Sequence, residues 1–153
     1  YSSFSCQTCH SQNYNNCGSC HINGHGARIV SYQDFKIGSN PIPDAKPGFK
    51  FSLLRRTLSA PDSWELYGLA TYPNFDVLPV FNYATPHNIQ RWTSRTQVSS
   101  GKACFDNCHI VKDGDVIRNK ELYLFESDFK YDWEKSSSKS VTVDGKLPSS
   151  WPK

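Results

Sequence analysis

Methionine is absent from this chain of 153 residues. A metal held here must therefore do without a thioether side chain, which leaves imidazole, thiolate, oxygen or amine donors. Long apolar runs are missing too: no stretch of 18 apolar residues exists, so no segment reads as a transmembrane helix. Apolar residues make up 37% of the chain and mean hydropathy is −0.59, which is meagre for a conventional core. Charge of one sign is scarce as well. The 17 basic and 14 acidic side chains leave a formal +3, too little to argue for a nucleic-acid partner. No Ser/His/Asp triad, phosphate-cradling glycine loop or dedicated carboxylate pair is legible.

What is present is concentrated in the cysteines. Cys6 to His25 reads CQTCHSQNYNNCGSCHINGH and holds two complete C-x-x-C-H units, separated by Ser11 to Asn16. In such a unit each cysteine adds across a vinyl group of a haem, and the following histidine is placed as the proximal iron ligand. A third unit, Cys104-Phe-Asp-Asn-Cys108-His109, has three residues between its cysteines. The extra residue enlarges the covalent loop and leaves the Cys-His pair intact. All six cysteines of the chain fall inside these units. The expected cofactors are three c-type haems, attached through Cys6 and Cys9, Cys17 and Cys20, and Cys104 and Cys108, with His10, His21 and His109 as proximal ligands. Competing readings are zinc held by Cys6, Cys9, Cys17 and Cys20, a redox dithiol, and a disulfide at Cys104/Cys108. A zinc set does not explain a histidine directly after each pair.

The chain holds five histidines, so His25 and His87 remain to serve as distal ligands. Without methionine the His/Met pairing that raises the potential is excluded. His25 lies too close to His21 to reach the opposite face of the same porphyrin, so it is expected on the adjacent first haem. His87 is expected on haem three or haem two. Three irons with two histidines each would need one more than the chain has. The remaining iron is five-coordinate, water-bound, or ligated by the Tyr1 amine, a lysine, a tyrosine or another protein's histidine. His10 and Cys17 are at most about 25 Å apart along an extended chain, so haems one and two are near neighbours.

The nine Phe, eight Tyr and four Trp suit packing against porphyrin faces. Haem propionates bring the holoprotein near neutrality. Arg28, Arg55, Arg56, Arg91 and Arg95 are candidate propionate partners, with solvated surface charge as the competing reading. Tyr1 to Ser5 carry no basic and apolar leader, and the expectation is a mature chain whose secretion signal has been removed, or a processed fragment.

The expected fold is a small, mostly irregular, haem-wrapped domain with a few short α-helices and a minor β-hairpin. Residues 1–135 form the trihaem domain, and 136–153 a Ser-rich linker and C-terminal tail. Ser39 to Gly48 reads as irregular extended chain, Phe51 to Leu58 as a short helix stopped at Pro61, and Ser63 to Leu69 as another helical turn. Tyr72 to Tyr83, with Pro73 and Pro79, reads as loop with short extended pieces. His87 opens a helix through Ile89, Gln90 and Trp92. Asp113-Gly114 is a turn. Leu122, Phe125, Phe129 and Trp133 recur at helical intervals, while Leu122 to Phe125 fits a strand equally well. Val141 to Gly145 has the pattern of a strand entering a hairpin turn.

At CQTCH, CGSCH and CFDNCH, with the spare His25 and His87, the chain resembles the multihaem c-type cytochromes of bacterial and archaeal respiration. It is also similar to the extracellular members of that group that polymerise into electron-conducting filaments. The resemblance implies electron transfer by mainly bis-histidine, low-potential haems, redox partner proteins or an extracellular acceptor, a homopolymer, and a periplasmic or extracellular address. The five-histidine count departs from the fully bis-histidine pattern. The alternative function is reduction of a small oxyanion or nitrogen compound at the haem lacking a second histidine.

Overall fold

The computed structural model describes residues 3–11, 35–56, 81–83, 89–93 and 95–152. The expectations for 63–69 lie outside them. At the centre stands an antiparallel sheet of three strands, β1 (Phe35–Ser39), β2 (Phe51–Arg56) and β3 (Phe81–Tyr83), in that order. Phe35 faces Arg55, Ile37 faces Leu53 and Ser39 faces Phe51, while Arg56 faces Phe81.

The helix expected from Phe51 to Leu58 is thus replaced, over Phe51–Arg56, by the central strand. Phe51, Leu53 and Leu54 fit either period, and pairing on both edges decides between them. Residues 51–54 are all buried, as a strand covered on both faces requires. The register puts Phe35, Ile37, Phe51 and Leu53 on one face and Leu54 and Phe81 on the other. Ile37 and Phe51 pack with Cys108, Ile110, Tyr123 and Val143. Leu54 and Phe81 pack with Leu124, Phe129 and Val141.

The outer edge of β1 is covered by chain from far downstream. Leu124 N donates to Ile37 O at 2.9 Å and Ser39 N to Val141 O at 2.8 Å. Tyr123 and Leu124 therefore run beside β1, one toward each core. The strand-like alternative for 122–125 is the nearer one. Two short 3-10 turns, Lys120–Leu122 and Glu126–Asp128, flank this segment. Between β1 and β2 the chain is irregular, as expected, and Asn40 organises it: its Nδ2 donates to Lys46 O and Phe49 O, and its Oδ1 accepts from Ile42 N.

A second, two-stranded sheet pairs β4 (Val111–Asp113) with β5 (Val116–Arg118). The expected turn at Asp113-Gly114 joins them; Gly114 has φ +61, the conformation a first turn residue needs in a two-residue hairpin and that glycine adopts without strain.

Three further expectations are corrected. Ser136 to Ser138 are the last residues of a helix (Asp132–Ser138), not a linker. Glu134 of that helix is buried and its Oε2 accepts from Tyr131 N at 2.9 Å and Lys130 N at 3.2 Å, so a carboxylate satisfies the helix's N-terminal donors. Val141 to Gly145 are turns rather than a strand. Val141 and Val143 nevertheless enter the two cores, which makes residues 136–152 part of the domain. Ile89 to Trp92 are not helical, because Ile89 bridges Ser11 and Gln90 N donates to His10 O. Phe81 to Tyr83 are one of the short extended pieces expected before Tyr83.

Candidate functional site

The first motif is a five-residue helix, α1 (Cys6–His10). Cys6, Cys9 and His10 stand three and four residues apart and so share one helix face. Thr8 points the other way and is fully buried, with its hydroxyl 3.1 Å from Ser5 Oγ. A helix this short does not hold itself. Arg95 holds it: buried at 6% exposure, it donates from Nη1 to Thr8 O at 3.0 Å and from Nη2 to Ser11 O at 2.6 Å. Two arms of the guanidinium are thus committed to the helix's C-terminal carbonyls, a role other than the propionate pairing expected of it. Arg55 and Arg91 are exposed, and Arg91 lies over the Trp92 ring. Thr93 Oγ1 donates to Cys9 O at 3.1 Å, and Phe4 stacks on Phe51, which ties the start of α1 to the central sheet.

His10 is fixed by Gln90. Its Nδ1 lies 3.2 Å from Gln90 O. A carbonyl can only accept, so in this bond Nδ1 carries the proton, and when the ring is neutral Nε2 is the nitrogen left with a lone pair. That is the arrangement by which a ligating imidazole is oriented and made more basic.

The third motif begins in a 3-10 turn, Cys104–Asn107. Asp106 Oδ2 accepts from Ala103 N, and both Cys108 N and His109 N donate to Phe105 O. Asn119, in the left-handed region at φ 65, donates from Nδ2 to Asp106 O at 3.0 Å and His109 O at 2.8 Å. Tyr123 Oη donates to Cys108 O at 2.8 Å. The His109 ring stacks with Phe105 at 5.4 Å and lies 4.7 Å from Trp151. Burial lowers the His109 pKa, which favours the neutral ring that a metal ligand requires.

The fold brings the first and third motifs together. Cys9, Cys104, Cys108 and His109 line one small cavity with Phe4, Arg95, Thr96 and Phe105, about 30 Å³ in volume. Cys9 packs against the apolar cluster that holds Cys108. Hydrogen bonding from the Cys108 thiol, reinforced by charge on His10 and Arg95 against the effect of burial, pulls the Cys9 pKa down to about 6. Cys108 moves up, because it supplies the hydrogen bond and is itself buried. The pair thus favours one thiolate, on Cys9, and one thiol, on Cys108.

The residues of motif one fit a haem: two thiols on one helix face, Cys6 exposed, and an imidazole with Nε2 left open. Those of motif three fit it in donor chemistry. The cavity between them has room for one or two waters and does not itself hold a porphyrin. Cys17, Cys20, His21, His25, His87, Tyr1 and Arg28 lie outside the described residues, as does the Arg56 side chain. Among the described residues no group of three or more His, Cys, Asp or Glu side chains gathers as an ion site, and no helix is long and apolar enough to cross a membrane.

Gln90, Thr93, Tyr123 and Trp151 were not foreseeable as parts of the site. Each reaches it across at least 15 residues of chain, and none carries a local pattern. Comparison with protein-family models, curated proteins and solved structures finds no match for this chain.

Proposed function

We propose that the protein transfers electrons through covalently attached c-type haems. The observation that carries this reading is α1, where Cys6, Cys9 and His10 share a face and Gln90 O accepts a hydrogen bond from His10 Nδ1. Haem iron supplies one-electron chemistry by cycling between ferric and ferrous states. The chain's part is to hold and to tune. Cys6 and Cys9 would fix a haem as thioethers, and His10 would present Nε2 to the iron. Gln90 strengthens His10 as a donor, and so favours the ferric state and a low potential. Arg95 and Thr93 keep the helix that carries all three residues from fraying. Cys104, Cys108 and His109 would hold a further haem, His109 being kept neutral by burial. Cys17, Cys20 and His21 complete the set by motif, with His25 and His87 as distal ligands. The corresponding address is the periplasm or cell exterior, and the partners are redox proteins or an extracellular acceptor.

The test is a haem count by pyridine haemochrome with intact mass on protein made in a host that attaches c-type haem. Three haems are expected, and Cys6→Ser/Cys9→Ser should carry one fewer. A colourless protein at the mass of the bare polypeptide would sink the proposal.

A further inference from the structure

We infer that Trp151 is a positioning residue for His109: the C-terminal segment from Lys146 to Trp151 straps across motif three and fixes the plane of its imidazole. This role rests on the reading of His109 as an iron ligand and adds the residue that orients it. The ring torsion of a histidine is broad and roughly two-fold, so its own rotamer preference does not set the plane. His10 is oriented by the hydrogen bond from its Nδ1 to Gln90 O. What orients His109, among the described residues, is ring contact. Two aromatic rings lie near-parallel to it, Phe105 at 5.4 Å and 27° and Trp151 at 4.7 Å and 35°. A metal is bound through a lone pair in the imidazole plane, whereas near-parallel rings press on its faces. They restrict rotation of the ring and leave its nitrogens open.

Phe105 belongs to the motif itself, but Trp151 arrives from the C-terminal segment and is fastened there independently. Lys146 Nζ donates to Ser140 O at 2.9 Å and to Thr142 O at 2.8 Å, which anchors the start of the strap. Trp151 N donates to Pro148 O at 3.0 Å, which closes its end into a turn. Leu147 and Trp151 both pack against the cluster that contains Ile37, Phe51 and Tyr123. Trp151 stands edge-on to Tyr123 at 5.8 Å and 83°, and Tyr123 Oη donates to Cys108 O, the carbonyl of the peptide that leads into His109. The Tyr123–Trp151 pair therefore holds both the backbone that enters His109 and its side chain. Phe105 alone would leave the ring tied only to its own motif.

The experiment uses the full chain, made both without and with haem attachment. Without haem, the His109 ring protons are read by proton magnetic resonance and assigned by their loss in His109→Gln. Near-parallel rings shield them, so they should stand upfield of a free histidine. Trp151→Ala should move them back toward it, and Trp151→Phe should keep part of the displacement. With haem attached, the haem count should be equal in the parent and both variants. One reduction potential should fall in Trp151→Ala, as water reaches the imidazole and favours the ferric charge, and recover in Trp151→Phe. Urea denaturation records loss of stability separately, and a merely structural tryptophan would lower that midpoint with every potential unmoved. Ring protons at free-histidine positions in the parent, or unmoved by Trp151→Ala, would overturn the inference, as would unchanged potentials in a variant carrying all its haems. A protein that takes up no haem yet shows the shielding defeats the electron-transfer reading while Trp151 still holds His109; haem uptake without the shielding defeats the positioning role alone.

Discussion

Single side chains decide how the first motif is presented. Arg95 is the plainest case, since it brings two charged donors to Thr8 O and Ser11 O from a buried position. Arg95→Met keeps the apolar stem and removes the fork. The two carbonyls are then left without their donors, at a cost of about 1–3 kcal/mol, and α1 frays. Urea denaturation should place the variant below the parent by that amount, and an unchanged midpoint would mean that the helix is held by something else. The Cys9 thiol makes a second test. The hydrogen bond from Cys108 favours the Cys9 thiolate and draws its pKa to about 6, so in the haem-free chain Cys9 should react with iodoacetamide down to roughly that pH. Cys108→Ala removes the donor, and the pKa should rise toward the ordinary thiol range. At neutral pH the thiolate fraction then falls by more than the higher basicity of the thiolate regains, and alkylation of Cys9 should slow by about two- to threefold. Equal rates in parent and variant, followed by mass mapping of Cys9, would contradict that assignment.

At the level of elements, local chemistry was legible and long-range pairing was not. Gly114 announces the β4–β5 turn because a positive φ is needed there. Each C-x-x-C-H marks its own site because its residues need only one turn of chain to come together. Phe51 to Arg56 misleads, since its apolar spacing suits a helix and only β1 and β3, from 35–39 and 81–83, make it a strand. Ser136 to Ser138 look like linker by composition, yet the helix is set by the Glu134 cap and by the burial of Ser138. The proximity of Cys9 to Cys108 has no local signal at all. Gly38 shows how closely the late chain presses on the early sheet. A Cβ there would run into Leu54 Cδ1 and Val141 O, and the Val141 carbonyl cannot withdraw because it accepts from Ser39 N. Gly38→Ala should therefore destabilise the domain by about 1–3 kcal/mol. A urea midpoint equal to the parent's would show that residues 139–143 leave β1 without loss.

Among the described residues the apolar clusters are small, and the first and third cysteine motifs pack into one of them through Cys9 and Cys108. Cys108 belongs to the same apolar cluster as Ile37, Phe51 and Tyr123, so whatever is bonded to motif three is mechanically coupled to the central sheet. Ligand supply is the constraint that acts at this scale. Five histidines serve three irons in the proposed holoprotein, and the chain has no methionine to make up the difference. His10 and His109 each follow directly on the last cysteine of their own motif, so neither is spare for the other's iron. Exchange between identical subunits would not help, because each would lend what it borrows. One iron in three should therefore lack a second imidazole in the ferric protein. Electron paramagnetic resonance should show a high-spin ferric signal beside the low-spin ones, and added imidazole should convert it to low spin without changing the haem count. A fully low-spin spectrum before imidazole would instead require a sixth ligand of another kind, from an amine, a lysine or a partner protein. That result would favour a continuous conduit over a protein with one open iron.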